Sequence, residues 1–480
     1  MKRLDRWTER NFTKLYILLT AGAVCMYGVF SLNSLVWADE AYTAALIRHS
    51  IPEIWKITAA DVHPPLYYFL LKLVAAPFDY HLAVCRIVSA IPCILVVAVG
   101  GWQIRKLFGT RTAVLFMALY LLFPYTMSYA AEVRMYSLAE LLILLNAIYG
   151  YRCWKDNRAK DWALFALFGT CAAYSHYFAL VSAGMVYGIL LIAAVWKKRE
   201  LLKGWAIASA GTVLLFLPWL GSFVSQLVYK VNNEYWIEPI TLETVVDYVL
   251  TVFSSRAWTS APLFLGLAYA VAFAALLLSR NKSRIGVCLC ALAVPLGTVA
   301  VGLLASVLVR PVFVIRYILP SVPLAVFFFA YVLGNLKEEM LFSALLTVAL
   351  IGGVSNAMVT AKEAVSPPSD RISSQLVSEL PECDAYVVVS GNTLHAGQEL
   401  SYYNPEMPIY VPDALGPDNP YPNRVAMDTF RAEENRNILL VVQTGDGIPE
   451  EFAGQYSAQL LCSVKVSGTP EDLWYLQAIG

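Results

Sequence analysis

Charged residues are scarce in this chain. Only 15% of its 480 residues are Asp, Glu, Lys or Arg, whereas 58% are hydrophobic and the mean hydropathy is +0.58. Ordinary soluble domains contain about 25% charged and about 45–50% apolar residues. The composition therefore excludes an ordinary soluble protein and predicts an integral membrane protein with many spans.

An excess of either charge sign and a glycine-rich phosphate loop are also missing. Lys plus Arg and Asp plus Glu both total 35, so the net charge gives no reason to expect a nucleic-acid partner. Because the glycine spacing that cradles phosphates does not occur, we expect no bound nucleotide. Most of the nine cysteines lie in or beside apolar segments, where Cys behaves as a small hydrophobe. Cys383 and Cys462 lie in the polar C-terminal region, where a disulfide and two free thiols both stay open.

Long apolar runs dominate what is present. About eleven of them could cross the ~30 Å of bilayer hydrocarbon as helices. They occupy residues 15–37, 82–104, 113–129, 135–152, 162–174, 178–196, 205–222, 261–278, 285–308, 314–333 and 340–359. The first run follows a basic segment, as in a signal peptide, but it is longer than a typical signal core and is predicted to be a retained span. A further run, 64–78, has about 15 residues and is too short to span comfortably.

Basic loops predict the orientation of the spans, because short loops rich in Lys and Arg stay in the cytoplasm. The basic connections are residues 1–14, 105–111, 152–161, 197–203, 280–284 and, more weakly, 337–339. They alternate consistently only if residues 64–78 do not cross, so this run is predicted to be a helix in the membrane interface, with Pro64 and Pro65 at its first turn. The N-terminus is then cytoplasmic, and the first loop (37–81) is extracytoplasmic.

The predicted fold class is an α-helical polytopic membrane protein with juxtamembrane helices and a small C-terminal α/β domain. Residues 1–360 form the predicted transmembrane domain. Residues 361–480 alternate short apolar runs with helical patches, which indicates an extracytoplasmic soluble α/β domain. Pro367 and Pro368 mark the linker. We expect the protein to lie in the cell membrane, with the bilayer as a partner.

Ionisable residues at the ends of the apolar runs concentrate on the outer face. Asp39 and Glu40 follow the first span, and Asp61 and His63 precede the short run. The others on this face are Arg86, Arg134, Tyr136, His176, Arg316 and Tyr317. Charges beside hydrocarbon are costly, and independent ion pairs should scatter to both faces. The convergence therefore predicts one functional site.

Each residue type has both a chemical and a structural interpretation. A carboxylate such as Asp39 can deprotonate a hydroxyl, or it can cap a helix. Asp61 and His63, with Glu40, could hold a divalent metal or form a hydrogen-bonded turn. Arginines at this depth bind a lipid phosphate bidentately or snorkel to headgroups. His176, flanked by tyrosines, fits either a site or an aromatic belt.

The motifs resemble the polyprenyl-phosphate-sugar-dependent glycosyltransferases of the GT-C fold, which are related to protein O-mannosyltransferases (glycosyltransferase family 39) and to the aminoarabinose transferase acting on lipid A. The resemblance covers about residues 13–359 and rests on WADEAY (37–42), DVHPPLYY (61–68), EVRMYSL (132–138), SHY (175–177) and VIRY (314–317). It implies that Asp39 is the catalytic acid of the first loop and that the site faces outward. Metal dependence differs between branches of the family and is not implied.

The predicted function is transfer of a hexose or pentose from a polyprenyl-phosphate-linked donor to an extracytoplasmic glycan, lipid or protein, by an inverting displacement. Asp39 and Glu40 are the candidate catalytic residues, and Asp61 and His63 position the acceptor or hold a metal with Glu40. Candidate phosphate-binding residues are Arg134, Arg316 and Tyr317, and candidate wall residues are Arg86, Tyr136 and His176. The alternative is a transporter or flippase of a lipid-linked sugar. Transporters, however, place ionisable groups near the membrane midplane and contain repeats, and neither feature is evident in this sequence.

Overall fold

The computed structural model describes residues 2–232, 237–254, 259–278, 281–390, 393–412 and 416–479. Arg280, in the basic connection predicted at 280–284, lies outside them. The chain is largely helical as far as Val365 and ends in a mixed sheet with short helices. This confirms the predicted fold class.

The bounds of the elements follow in chain order. The helices are α1 Lys2–Arg10, α2 Phe12–Phe30, α3 Ala38–Leu46, α4 Ile51–Ala60, α5 Leu66–Ala75, α6 Leu82–Leu95, α7 Gly101–Phe108, α8 Thr110–Leu121, α9 Pro124–Tyr129, α10 Tyr136–Asp156, α11 Ala159–Ala173, α12 Tyr177–Lys197, α13 Leu202–Asn232, α14 Leu242–Val252, α15 Ala261–Leu277, α16 Lys282–Leu308, α17 Val322–Asn335, α18 Glu339–Val365, α19 Ser374–Glu379, α20 Leu394–Tyr403 and α21 Glu450–Ala453. The strands are β1 Ala385–Val388, β2 Ile409–Val411, β3 Arg424–Ala426, β4 Asn437–Gln443, β5 Tyr456–Val466 and β6 Thr469–Ala478.

Every predicted span overlaps helical structure, but the first helix ends at Phe30, before the predicted end of its span at residue 37. Within the described ranges, seven helices are long and apolar enough to cross a membrane: Phe12–Phe30, Leu82–Phe108, Tyr177–Lys197, Arg199–Val228, Lys282–Leu308, Ile315–Asn335 and Glu339–Val365. The four remaining runs fall on α8 with α9, α10, α11 and α15, which are shorter or less apolar. The protein is a multi-pass membrane protein.

The first loop is built from short helices. Helix α4 begins with a capping box in which the Ser50 amide donates to the Glu53 carboxylate at 2.8 Å. The short run predicted at 64–78 is α5, continued by the 3₁₀ turn Ala76–Phe78. Helix α5 begins at Leu66, directly after the buried Pro64 and Pro65. Its ten residues are too few to cross the bilayer.

Packing divides the chain into two compact units. The first consists of Met1–Ser31, Val62–Tyr67 and Arg86–Lys362. The second consists of Leu32–Asp61, Tyr68–Cys85 and Glu363–Gly480. Helices α3 and α4 of the first loop therefore fold with the C-terminal residues.

The C-terminal residues form a six-stranded sheet with the order β3-β2-β1-β4-β6-β5. β3, β2, β1 and β4 run parallel, while β6 pairs antiparallel with β4 and β5. Side chains alternate between two apolar layers, as the strand period requires: Tyr386 and Val388 pack on one face with α20, and Val387 packs on the other. Cys383 and Cys462 are free thiols.

Candidate functional site

Several predicted site residues of the first unit form one group. The Nη2 atom of Arg134 lies 3.4 Å from Nε2 of His63. The ring of His176 lies 6.1 Å from that of His63 and 4.9 Å from that of Tyr317, centroid to centroid. The Tyr136 ring lies 5.7 Å from the same imidazole. We call these residues, His63, Arg134, Tyr136, His176 and Tyr317, the histidine cluster.

The histidine cluster assembles where helices end. His63 lies between α4 and α5, and His176 is the N-cap of α12. The amide of Leu66, at the start of α5, donates to the carbonyl of Tyr174 at 3.1 Å and so ties these two turns together. Helix ends leave backbone groups and polar side chains available, which explains why the polar residues collect there.

His176 is held as a neutral ring with one defined donor. Its Nδ1 accepts the backbone N–H of Phe178 at 3.1 Å, so Nε2 carries the proton. The ring is 3% exposed. Burial, followed by the charges of His63, Arg134 and Arg316, lowers the pKa of His176 well below its usual value. At neutral pH this imidazole is therefore uncharged and offers one N–H donor, at Nε2.

Two arginines make this part of the unit cationic. Arg134 is 3% exposed and Arg316 is partly buried at the start of the 3₁₀ turn Ile315–Ser321. Both act electrostatically on His176, so both guanidinium groups lie near the same buried ring. Phe178 stacks on Tyr317, with 5.0 Å between ring centroids, and gives this region an apolar side. Two planar cations beside a neutral N–H donor suit a phosphate group.

Arg86 lies on an adjoining helix of the same unit. It is 3% exposed and lies one turn before Ser89 on α6. The Ser89 hydroxyl lies 2.6 Å from the hydroxyl of Tyr67, and its carbonyl accepts a hydrogen bond from Ser137, the neighbour of Tyr136. This places the helical turn of Arg86 near the histidine cluster, and its role as a wall residue stays a prediction.

The predicted acids of the first loop belong to the second unit. Asp39 and Glu40 lie in the first turn of α3, where the helix dipole stabilises carboxylates. The helix N-cap is Trp37, so neither acid occupies the N-cap position. Asp39 is partly buried and Glu40 is 3% exposed. Asp61 is the C-cap of α4.

Two further buried acids of the second unit were not singled out from the sequence. Glu399, on α20, is 0% exposed, and Glu471, on β6, is 1% exposed. Burial raises the pKa of each to about 8; Arg371 opposes the shift at Glu399, while Glu471 and Glu40 add to it. A signal for Glu399 does exist: it shares the buried face of α20 with Ala396 and Leu400.

A metal centre is not evident among these acids. In the described part of the chain, no group of three or more His, Cys, Asp or Glu side chains is arranged to hold a metal ion. The metal predicted at Glu40, Asp61 and His63 therefore stays a prediction, and no step below depends on it.

Comparison with known proteins begins with one segment of the chain. Residues 62–221 match the family described as dolichyl-phosphate-mannose-protein mannosyltransferase. The match is a third of the chain in length and contains His63, Arg134 and His176. No curated protein sequence matches the chain.

The fold gives a second comparison. The chain is similar to crystal structures of ArnT from Cupriavidus metallidurans. The match to the apo form has a TM-score of 0.62 and 13% sequence identity, and it covers 96% of this chain and 98% of the ArnT chain. The match to the form bound to undecaprenyl phosphate has a TM-score of 0.65 and 12% sequence identity, and it covers 95% of this chain and 97% of the ArnT chain. This chain has the GT-C fold. The predicted resemblance to GT-C glycosyltransferases is confirmed, and the GT-C similarity extends over both units.

Proposed function

We propose that this GT-C protein is a membrane glycosyltransferase that moves a monosaccharide from a polyprenyl-phosphate-linked donor to an acceptor outside the cytoplasm. The observation that carries the proposal is the histidine cluster, in which Arg134 lies against His63 and the rings of His63 and Tyr317 lie near the buried His176; Arg316 acts on the same ring. The fold shared with an ArnT structure that holds undecaprenyl phosphate supports it. The matched mannosyltransferase segment, which includes part of the histidine cluster, supports it as well.

The donor phosphate would lie against Arg134 and Arg316. Their guanidinium groups would neutralise it, and the Nε2–H of His176 and the hydroxyl of Tyr317 are neutral donors in the same place. As the sugar leaves, negative charge grows on the phosphate, so donors already fixed in position stabilise the transition state more than the ground state. The isoprenoid chain would extend into the bilayer.

The chemical step is a single displacement. An acceptor hydroxyl attacks the anomeric carbon, a new C–O bond forms, and the bond from that carbon to the phosphate oxygen breaks. Polyprenyl phosphate leaves with the bonding electron pair, and the hydroxyl proton passes to Asp39. Glu40 assists this acid, while Asp61 and His63 position the acceptor. Attack opposite the leaving group inverts the anomeric configuration.

We also propose the setting of the reaction. The N-terminus is cytoplasmic, as the basic connections indicate, and the first loop and residues 361–480 face outward from the cell membrane. The transferred sugar is a hexose or a pentose, and the acceptor is a glycan, lipid or protein.

Release of the lipid carrier tests this function. The purified protein is placed in lipid nanodiscs with a panel of polyprenyl-phosphate hexoses and pentoses, with and without candidate acceptors, and free polyprenyl phosphate and glycosylated product are measured. A glycosyltransferase yields both in equal amounts. If the protein in liposomes moves intact donor between leaflets and releases no carrier, it is a flippase and the proposal is wrong.

A further inference from the structure

Helix α20 holds the chain segment that enters α3. The backbone amide of Val36 donates to the hydroxyl oxygen of Tyr403 at 3.1 Å, and that hydroxyl donates to the carbonyl of Ser34 at 3.1 Å. One tyrosine thereby fixes two backbone groups immediately before Asp39. Helices α3 and α20 also pack against each other, so this contact is part of a continuous interface inside the second unit.

A second side chain of α20 reaches the same segment. Glu399 lies four residues before Tyr403 and therefore on the same helix face. Its carboxyl group is fully buried beside the backbone amide of Ala38, the first residue of α3. The N-cap of α3 is Trp37, whose indole offers no acceptor to the helix amides. Glu399 is therefore buried at a helix N-terminus whose own N-cap side chain supplies no acceptor.

Burial favours the neutral form of Glu399. The charged groups that act on it are Arg371, which precedes α19, Glu471 on β6 and Glu40 on α3; the arginine favours the ionised form and the two acids favour the neutral form. Among the described residues, neither carboxyl oxygen of Glu399 has a hydrogen-bond partner. A neutral carboxyl group in this place does not repel the buried Glu40.

The other end of α3 is also held within the second unit. His49, three residues beyond the helix, lies with Nε2 2.9 Å from the carbonyl of Pro420. The ammonium group of Lys72 donates to the carbonyl of Ile47 at 3.1 Å. Because both ends are fixed, a small change at the Glu399–Tyr403 end would tilt α3 and displace the acids of its first turn.

We infer that Glu399 and Tyr403 are positioning residues, which act through α3 to orient Asp39 and Glu40 for proton transfer. The inference rests on the proposed glycosyl transfer. It assigns a purpose to the C-terminal residues that does not require them to contact the donor or the acceptor.

Matched substitutions separate positioning from a general structural role. Tyr403→Phe removes both hydrogen bonds at nearly constant volume, and Glu399→Leu removes the buried carboxyl group beside the first residue of α3. We expect each to lower kcat about 10- to 100-fold, because misplacing a catalytic group by about 1 Å has this effect. The donor KM should change less than about twofold, since lost uniform binding is what raises KM. Glu399→Gln keeps a neutral polar side chain of the same shape and should stay within about threefold of the wild-type kcat.

Tyr475→Phe is the control. It removes a tyrosine hydroxyl of the C-terminal sheet that donates to the carbonyl of Glu382, and it should leave kcat unchanged. A kcat within twofold of wild type for both Tyr403→Phe and Glu399→Leu would overturn the inference. So would an equal loss of kcat in Tyr475→Phe.

Hydrogen exchange gives a readout that does not require turnover. In Tyr403→Phe and Glu399→Leu, the amides of residues 36–41 should exchange at least about tenfold faster, while those of β4 keep their protection. Faster exchange spread evenly over the C-terminal sheet would mean general destabilisation and would contradict positioning. If the wild-type protein releases no carrier, the proposed function fails, and the exchange pattern still decides whether α20 fixes α3.

Discussion

The histidine cluster of the first unit and the acids around α20 of the second bury ionisable groups of opposite sign. In the cluster, the cations Arg134 and Arg316 act on an imidazole that burial keeps neutral. In the second unit, Glu40, Glu399 and Glu471 are buried acids, and Arg371 acts on Glu399. Burying a charge is costly unless it is paired or neutralised.

The difference indicates a division of labour. A cationic group of residues around a neutral donor is suited to a phosphate, which supplies the missing negative charge. A buried acid with a raised pKa, such as Glu399, is suited to holding a proton. Under the proposed function, the arginines of the first unit would bind the leaving phosphate and the acids of α3 would serve the nucleophile.

The largest expected effect comes from the acid assigned as the base. Asp39→Asn keeps the size of the side chain but removes its proton affinity, so we expect glycosyl transfer to fall about 10³-fold while donor binding persists. The measurement is carrier release in nanodiscs. The control is Asp79→Asn, which alters an exposed acid of the same loop. Near-normal transfer by Asp39→Asn would rule out the assignment.

Replacing an arginine of the first unit should instead weaken binding of the donor. We expect Arg134→Gln and Arg316→Gln each to raise the donor KM about 10- to 100-fold, because a charged hydrogen bond contributes about 1.5–3 kcal/mol. Lysine variants should recover only part of the loss, since they lack the planar fork. Arg48→Gln, at an exposed site of the first loop, should behave as wild type. An unchanged KM in both glutamine variants would contradict a phosphate site.

The pH dependence of stability should have opposite signs at His176 and at the pair Glu399 and Glu471. His176 has a lowered folded pKa, so the unfolded state binds more protons below pH 6.5 and the contribution of this residue to stability falls as the pH falls. The pKa values of Glu399 and Glu471 are raised from 4.5 to about 8 in the folded protein. Between these two pH values the folded state binds more protons than the unfolded state, so the contribution of these two residues to stability falls as the pH rises.

Hydrogen exchange of α12 and of β4, followed from pH 5 to pH 9, measures the two trends separately. Glu399→Gln and Glu471→Gln should each flatten the trend at β4 and leave the trend at α12 unchanged. The two acids act on each other, so they titrate as a pair rather than singly. Parallel trends in both units would contradict this description.

The smallest expected effect is that of metal removal. The described residues contain no group of three ligands suited to a metal ion, so we expect EDTA to change carrier release less than about twofold. Zn²⁺ or Mn²⁺ added back after chelation provides the control. A loss that either ion restores would instead favour a metal at Glu40, Asp61 and His63.

Much of the first unit could be predicted from the sequence. Hydrocarbon forces the backbone to satisfy its own hydrogen bonds, so long apolar runs have few alternatives to helix. The polar residues His63, Arg134 and His176 interrupt such runs on one predicted face, and the structure brings them together. These three residues could be identified from the sequence because polar residues are rare beside hydrocarbon.

The second unit was harder to predict because its contacts are distant in sequence. Val36 and Tyr403 are separated by 367 residues, and no local pattern at either position indicates the other. The spacing of Glu399 with Ala396 and Leu400 indicates a shared helix face, but not what that face contacts. The alternation of short strands and helices predicted an α/β domain, but strand order depends on packing that the sequence does not display.

The distance between Val36 and Tyr403 has a consequence for synthesis. A ribosome adds about 5–20 residues per second, so the 367 residues between them require roughly 20–70 s. During that time the first loop has left the ribosome, but α20, which fixes the segment before Asp39, has not yet been synthesised. The loop therefore reaches its final arrangement only near the end of translation.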